Sequence, residues 1–361
     1  MAAQKDLNIT TILHISDFHF AGARKRDQKI VVDALIKDLT SNCVGYRKPD
    51  ILLFTGDLVQ AAGADRHDEA YDFLLSRAGE AVGLSDERIF IAPGNHDVES
   101  EVVDASADLH LTWRSMNRES LNAAYSEGAF SDIIQSKFKS YSDLDSYLSD
   151  DLKVHSNDFG CVHKIPGIDL DIITFNTAVL SKGGSKKLPK DEGEMAIPEF
   201  AILELCEQAT SEFCIAVTHH PLQSMNEETA KVLKRSIQSK ANIHLFGHMH
   251  DPSIENIQAM DGDVYASQAG AIFTHRTQYY IGYSIISYSR ETKSVETVLR
   301  KFYPDRSVFE SDIGRVPNGI YYPTGASRHF WNNQVTPFDE GDLKAHISEV
   351  GPEEMFLNRE S

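Results

Sequence analysis

The stretch IFIAPGNHD, residues 89–97, joins a short apolar run to an amide, an imidazole and a carboxylate through a Pro-Gly stop. Four other stretches repeat the arrangement: TILHISDFH at 11–19, ILLFTGD at 51–57, FCIAVTHH at 213–220 and IHLFGHMH at 243–250. Each apolar run is rich in Ile, Leu, Val and Phe, as in a strand buried on both faces. Each stops at Gly, Ser or Thr and then presents hard or borderline metal ligands. Five such ends, drawn from across the chain, point to strand termini that converge on one metal centre.

Spacing and ligand type narrow the chemistry. Side chains two apart on an extended strand face the same way, so Asp17 with His19, and His248 with His250, can each reach one ion. Carboxylate, imidazole and amide without thiolate suit Mn, Fe or Zn better than a structural cysteine-type zinc site. One ion with an open position takes about three to five protein ligands. Seven such side chains therefore call for two divalent ions sharing a bridging carboxylate.

The first two thirds of the chain alternate strands and helices, which predicts a doubly covered sheet with ligands beyond the strand carboxyl ends. The spacing predicts a helix over 27–40, with Ile30, Val31, Ala34, Leu35 and Leu39 on one face, and a helix over about 65–82. Residues 99–152 carry helical patterns without strand runs and read as an insertion directly after Asn95-His96-Asp97. Strands are expected at 161–165, 169–176, 263–267, 280–288 and 294–302. A helix is expected from Pro198, with proline in the first turn. The expected organisation is a catalytic domain over 1–302, with its helical insertion at about 99–152, followed by a tail or peripheral element over 303–361.

Composition bounds the partners. The 361 residues are 41% hydrophobic, enough for a large core, and the net charge of -19 gives no general attraction to nucleic acid or anionic membrane. The cysteines Cys43, Cys161, Cys206 and Cys214 form no CxxC pair and are expected to be reduced. The segment MAAQKDLNIT has no basic region leading into a long apolar run, and no stretch reaches the roughly 18 apolar residues of a membrane span. A soluble, cytoplasmic protein with no membrane partner is expected; the oligomeric state is not readable.

The ordered blocks SDFH at 16–19, GD at 56–57, GNHD at 94–97, HHP at 219–221 and GHMH at 247–250 resemble the calcineurin-like metallophosphoesterase superfamily. The resemblance spans residues 12–250. It implies a four-layer α-β-β-α sandwich with two mixed sheets, and a dinuclear site. Asp17, His19 and His250 would bind one ion, Asn95, His219 and His248 the other, and Asp57 would bridge them. His96 would serve the leaving group, with Asp97 either helping to position it or acting as a turn residue that binds backbone amides. His220 would stand behind the ligands. The implied activity is metal-dependent phosphoester hydrolysis, with Mn, Fe or Zn as the ions.

One departure bears on the substrate. Protein phosphatases of this superfamily carry G-D-x-x-D-R-G, whereas this chain reads GDLVQAAG and has Gln60 at the second acid. The blocks look more like those of bacterial cyclic-nucleotide phosphodiesterases, so a nucleotide or cyclic nucleotide is the expected substrate. The alternatives are a DNA or RNA nuclease, although no basic stripe or aromatic stacking run is evident, and a metal-binding module of a larger assembly. His14 and His244 are expected to be packed. His67, His110, His155, His163, His329 and His346 lack motif context and are expected at the surface. Arg276 is a candidate phosphate contact.

Overall fold

The computed structural model describes residues 8–42, 48–257, 263–274, 279–316 and 319–322. The chain divides into a unit over Met1–Pro323 and a second, Thr324–Ser361, that lies outside the described residues. Cys43, His275, Arg276, His329 and His346 also lie outside them.

The strands, in chain order, are β1 (Ile9–Ile15), β2 (Ile51–Phe54), β3 (Ile89–Ile91), β4 (Lys153–Asn157), β5 (Gly160–Ile165), β6 (Leu170–Phe175), β7 (Phe213–Val217), β8 (Ile243–Phe246), β9 (Ser253–Ile257), β10 (Val264–Gln268), β11 (Gly282–Ser289), β12 (Ser294–Tyr303), β13 (Val308–Ser311) and β14 (Ile320–Tyr321). They form two mixed seven-stranded sheets. The first runs β13-β12-β11-β1-β2-β3, with β14 also on β12; the second runs β4-β5-β6-β7-β8-β10-β9. In the first, β1, β2 and β3 are parallel and β11 lies antiparallel to β1. In the second, β6, β7, β8 and β10 are parallel, flanked by antiparallel pairs.

Strand alternation sorts the core into layers. Ile12, Ile51, Leu53 and Phe90 of the first sheet share one cluster with Ile172, Ile215, Val217, Ile243 and Leu245 of the second. Phe213 and Tyr288 stack there, with ring centroids 4.4 Å apart. The intervening residues Leu13, Ile15, Leu52 and Phe54 join a second cluster with helix side chains. On the first sheet these come from α1 (Lys25–Asn42), α2 (Arg66–Ala70) and α3 (Ser76–Val82). The result is an α/β fold with two mixed sheets between helices, as the motif order implied.

Some local expectations need correction. Ile30 is exposed and α1 buries Val31, Val32, Leu35 and Leu39 instead. The helix expected over 65–82 is interrupted by a π-helical segment over Tyr71–Leu75. Strands β4 and β9 were not legible, because edge strands exposed along much of their length lack an apolar run.

Residues 100–149 form five short helices: α4 (Ser100–Ala105), α5 (Ala107–Arg114), α6 (Arg118–Ser126), α7 (Ser131–Lys137) and α8 (Lys139–Ser149). The second sheet also packs α9 (Glu199–Gln208) and α10 (Glu227–Lys240), which bury Ile202, Leu205, Leu233 and Ile237. Pro198 caps α9 from outside instead of entering its first turn. Within the segment expected to be peripheral, β13 and β14 pair with β12 at the sheet edge. Among the described residues no helix is long and apolar enough to cross a membrane.

Candidate metal centre

The strands end one or more residues before each motif. β1 stops at Ile15, β2 at Phe54, β3 at Ile91, β7 at Val217 and β8 at Phe246. Asp17 and His19 are therefore not on extended backbone, contrary to the spacing argument. Both have positive φ, 54° and 48°, as do Asp57 at 58°, His248 at 74° and His250 at 58°. Left-handed backbone is disfavoured for such residues and persists only where the surroundings impose it. Asp17 and His19 still converge, through two left-handed turns instead of a pleat.

Hydrogen bonds explain the imposed geometry. The amides of Phe18 and His19 both donate to the carbonyl of Asp57, at 3.0 and 2.9 Å, and Asp17 donates to the carbonyl of Gly56. Gly56 and Gly94 bring the loops closer than a side chain permits. A Cβ on Gly56 would lie 2.4 Å from His219 Nδ1, and one on Gly94 would lie 2.2 Å from Asp57 Oδ1.

The donor atoms fall into two groups. In one, His250 Nε2 lies 3.1 Å from Asp17 Oδ1 and 3.0 Å from His19 Nε2. In the other, Asn95 Oδ1 lies 3.2 Å from His219 Nε2 and 3.0 Å from His248 Nδ1. Asp57 Oδ2 stands between them, 3.8 Å from His19 Nε2 and 3.4 Å from His219 Nε2. Supporting bonds orient these groups. His219 donates from Nδ1 to the carbonyl of Thr55 at 2.7 Å, so in the neutral ring its Nε2 lone pair faces the centre. Asp17 Oδ2 accepts from Ser16 Oγ and from the amide of His248, leaving Oδ1 for the site.

Electrostatics agree with a cation hole. Burial would raise the Asp17 carboxyl, but the hydrogen bond and charge of His250 outweigh it and hold the group at about 2. Burial opposes ionisation of Asp57 as well, yet His219 and His96 keep it well below the carboxylate range. Burial lowers His19 and His248 to about 4, so both present neutral lone pairs. Against its own burial, His219 is raised to about 9 by the Asp57 charge. Two buried carboxylates and several imidazole nitrogens therefore meet at contact distance. This donor set fits divalent ions.

His96 lies beside this cluster, its ring edge-on to His19 with centroids 4.9 Å apart. Its amide donates to Asp57 Oδ1 at 2.8 Å, and its Nδ1 donates to the carbonyl of Gln60 at 2.8 Å. The Gln60 side-chain amide lies 3.1 Å from the same nitrogen. Asp97 does not face the cleft. It is buried, and its oxygens accept from the amides of Asp57, Gly94 and Val59. These three bonds are those of a turn residue that binds backbone amides, and they also hold the loop that carries His96. His220 is buried behind the cluster, with Nδ1 on Thr177 Oγ1 at 3.0 Å and its ring against His248.

Several histidines expected at the surface are interior. His67 packs beside Asp97, with Nε2 at 3.3 Å from Oδ1. His110 contacts buried Lys137, and His163 reaches Ser149 Oγ at 3.0 Å. His155 is half-buried on Glu204. Their partners are distant in sequence or in the insertion, so no local motif announces them. His14 and His244 are packed within their strands, as expected.

An open cleft of about 330 Å³ adjoins the centre, lined by His19, His96, His248 and His250 and by Arg24, Gln60, Met249, Phe273, Thr274 and Tyr279. Arg24, Phe273 and Tyr279 lie outside the motifs, and Met249 fills the variable position of GHMH. Their only sequence signal is proximity to the DFH, GHMH and AIF stretches.

The profile of the calcineurin-like phosphoesterase family matches residues 10–252. A Bacillus subtilis (strain 168) relative, named as the uncharacterized metallophosphoesterase-like protein YydB, is 23% identical over 254 residues, covering 68% of this chain and 50% of that one. The chain thus spans about half the length of the curated relative it matches. Among solved structures, a Vps29 single mutant from Entamoeba histolytica is 10% identical, with a TM-score of 0.33 over 87% of this chain and 97% of that chain. A hypothetical protein from Thermus thermophilus is 12% identical, with a TM-score of 0.37 over 87% and 98%. Chaetomium thermophilum Vps29 is 13% identical, with a TM-score of 0.34 over 83% and 94%.

Proposed function

Because the chain belongs to the calcineurin-like phosphoesterase family, we propose that its centre holds two divalent ions and hydrolyses a phosphodiester of the nucleotide or cyclic-nucleotide class. Asp17, His19 and His250 would hold one ion and Asn95, His219 and His248 the other, with Asp57 between them. The observation that carries this reading is the convergence of seven donor side chains, Asp57 at their centre and five of them on left-handed backbone. Such ions, when bound, acidify water to a pKa of about 7 and balance charge on the phosphoryl group.

The chain's own residues supply the rest. Two carboxylates against two divalent ions leave a net positive site, whereas further acids in place of the histidines or Asn95 would cancel it. His96 gives its Nδ1–H to the Gln60 carbonyl, so its Nε2 is the ring atom available to the cleft. His96 would donate a proton from Nε2 to the leaving oxygen. Gln60 puts a neutral amide beside His96 where the related protein phosphatases place an acid, which favours a small diester over a phosphoprotein. The wall of Met249, Phe273 and Tyr279 suits the planar face of a base.

The test is metal quantitation of protein purified without chelators, followed by assays on bis-p-nitrophenyl phosphate, a phosphomonoester and a cyclic-nucleotide panel with Mn, Fe or Zn. Two ions per chain with diester turnover supports the proposal. One ion or none, or no turnover with any metal, removes it.

A further inference from the structure

We propose that Arg24 binds a second phosphoryl group of the substrate, one that is not itself cleaved. The inference rests on the hydrolase reading above and names its substrate class more closely. Among the described residues lining the cleft, Arg24 alone carries a fixed positive charge. Its side chain is exposed at the cleft, and a guanidinium there offers a planar fork matched to phosphate oxygens.

The backbone delivers it to that position. Arg24 ends a 3-10 turn over Gly22–Arg24 that begins three residues after His19. The buried Gln28 amide fixes the approach, donating to the carbonyl of His19 at 3.0 Å and accepting from the amide of Ala21 at 3.2 Å. Phe20 pairs with Val59, and the amide of Gln60 donates to the carbonyl of Phe20 at 3.0 Å. Backbone bonds thus tie the segment that leads to Arg24 to Gln60, and Gln60 contacts His96, so all three line the same cleft as Met249, Phe273 and Tyr279. The neighbouring cation is committed elsewhere: Lys25 sits 5.7 Å over the rings of Phe20 and Phe73. The reacting phosphoryl group belongs with the donor cluster, so the Arg24 charge is left for a second anion.

Two chromogenic substrates separate this from general binding: thymidine 5′-(p-nitrophenyl phosphate) and the same compound carrying a 3′-phosphate. Metal-supplemented wild type should favour the 3′-phosphorylated substrate in kcat/KM by about 10- to 100-fold, the range of a charge-assisted pair. Arg24→Gln should bring the two substrates to parity, mainly through KM, and Arg24→Lys should restore part of the preference. Equal losses on both substrates, or an unchanged preference, overturn the inference. If neither substrate turns over, the hydrolase reading has failed and calorimetry decides this one separately. Thymidine 3′,5′-bisphosphate and thymidine 5′-diphosphate should each bind wild type tighter than thymidine 5′-monophosphate, and the gain should vanish in Arg24→Gln. A gain for only one of them identifies whether the second group is on the sugar or in an anhydride; a gain for neither overturns the inference.

Discussion

The Asp97 carboxylate accepts the backbone N–H of Asp57 at 2.8 Å. The same oxygen takes the amide of Gly94, and its partner oxygen takes that of Val59 at 3.2 Å. One buried side chain thus sews the GD loop to the GNHD loop, and the spacing of Asp57, Asn95 and His96 follows from it.

Asp97→Ala should consequently lose stability and metal together. Three buried amides lose their acceptor, and each unsatisfied group costs about 1–3 kcal/mol. Chemical denaturation in chelator should show a loss of roughly 3 kcal/mol or more, and metal titration a weaker site. Full metal affinity in a folded Asp97→Ala protein would count against the role assigned to this residue.

Asp57→Asn keeps the shape and removes the shared charge. The amide of His96 retains an acceptor, but buried His219 loses the charge that raises it, so the metal-free fold should lose about 3 kcal/mol. Elemental analysis should show fewer than two ions per chain, and diester turnover should fall by at least about a thousandfold.

Lys137 ties the helical insertion to the loop that follows β6. Its buried Nζ donates to the carbonyls of Val179 and Ser181, both at 2.6 Å, and lies 3.2 Å from His110 Nε2. Across the same junction, Arg114 of α5 donates to Asp191 of the loop at 2.6 Å, and Lys187 of the loop donates to the carbonyl of Asp104 in α4 at 2.7 Å. Lys137→Met fills the space and leaves two carbonyls unmet, at a cost of about 2–4 kcal/mol. Hydrogen exchange should rise first at residues 179–185. Uniform loosening across the whole fold would argue against a local brace.

Acid should destabilise the protein through its buried neutral histidines. Burial first, and then the Lys153 cation, lowers His163 from 6.5 to about 3. The unfolded chain therefore binds the extra proton between those values, and stability falls as pH drops below 6.5. The contribution is complete above 6.5 and gone below about 3; at pH 5 the loss is about 2 kcal/mol from this group. His163→Gln, which can still meet Ser149, should flatten the pH dependence of unfolding over that window. An unchanged slope would show that the His163 proton is not linked to folding.

The strands β1, β2, β3, β7 and β8 were legible because they are buried on both faces and read as continuous apolar runs, whereas their division between two sheets came only with the motif resemblance. The exposed edges β4 and β9 have no such pattern and were missed. Asp17, His19, Asp57, Asn95, His219, His248 and His250 were legible because each follows one of those runs at a small-residue stop. The interior histidines were not, since burial of His67, His110 and His163 depends on partners that only packing supplies.

Residue chemistry along the chain was enough to fix which side chains gather and that they gather at strand ends, because apolar runs and their stops are local properties. How Asp17 and His19 turn inward was decided by amides bonded to a carbonyl some forty positions away, which forces left-handed backbone that no propensity favours. The same holds for Asp97 as a clamp, for Arg24 at the cleft and for the insertion braced through Lys137. Each depends on distances between segments apart in sequence, and those distances exist only once β1, β2 and β3 have paired and the insertion has packed.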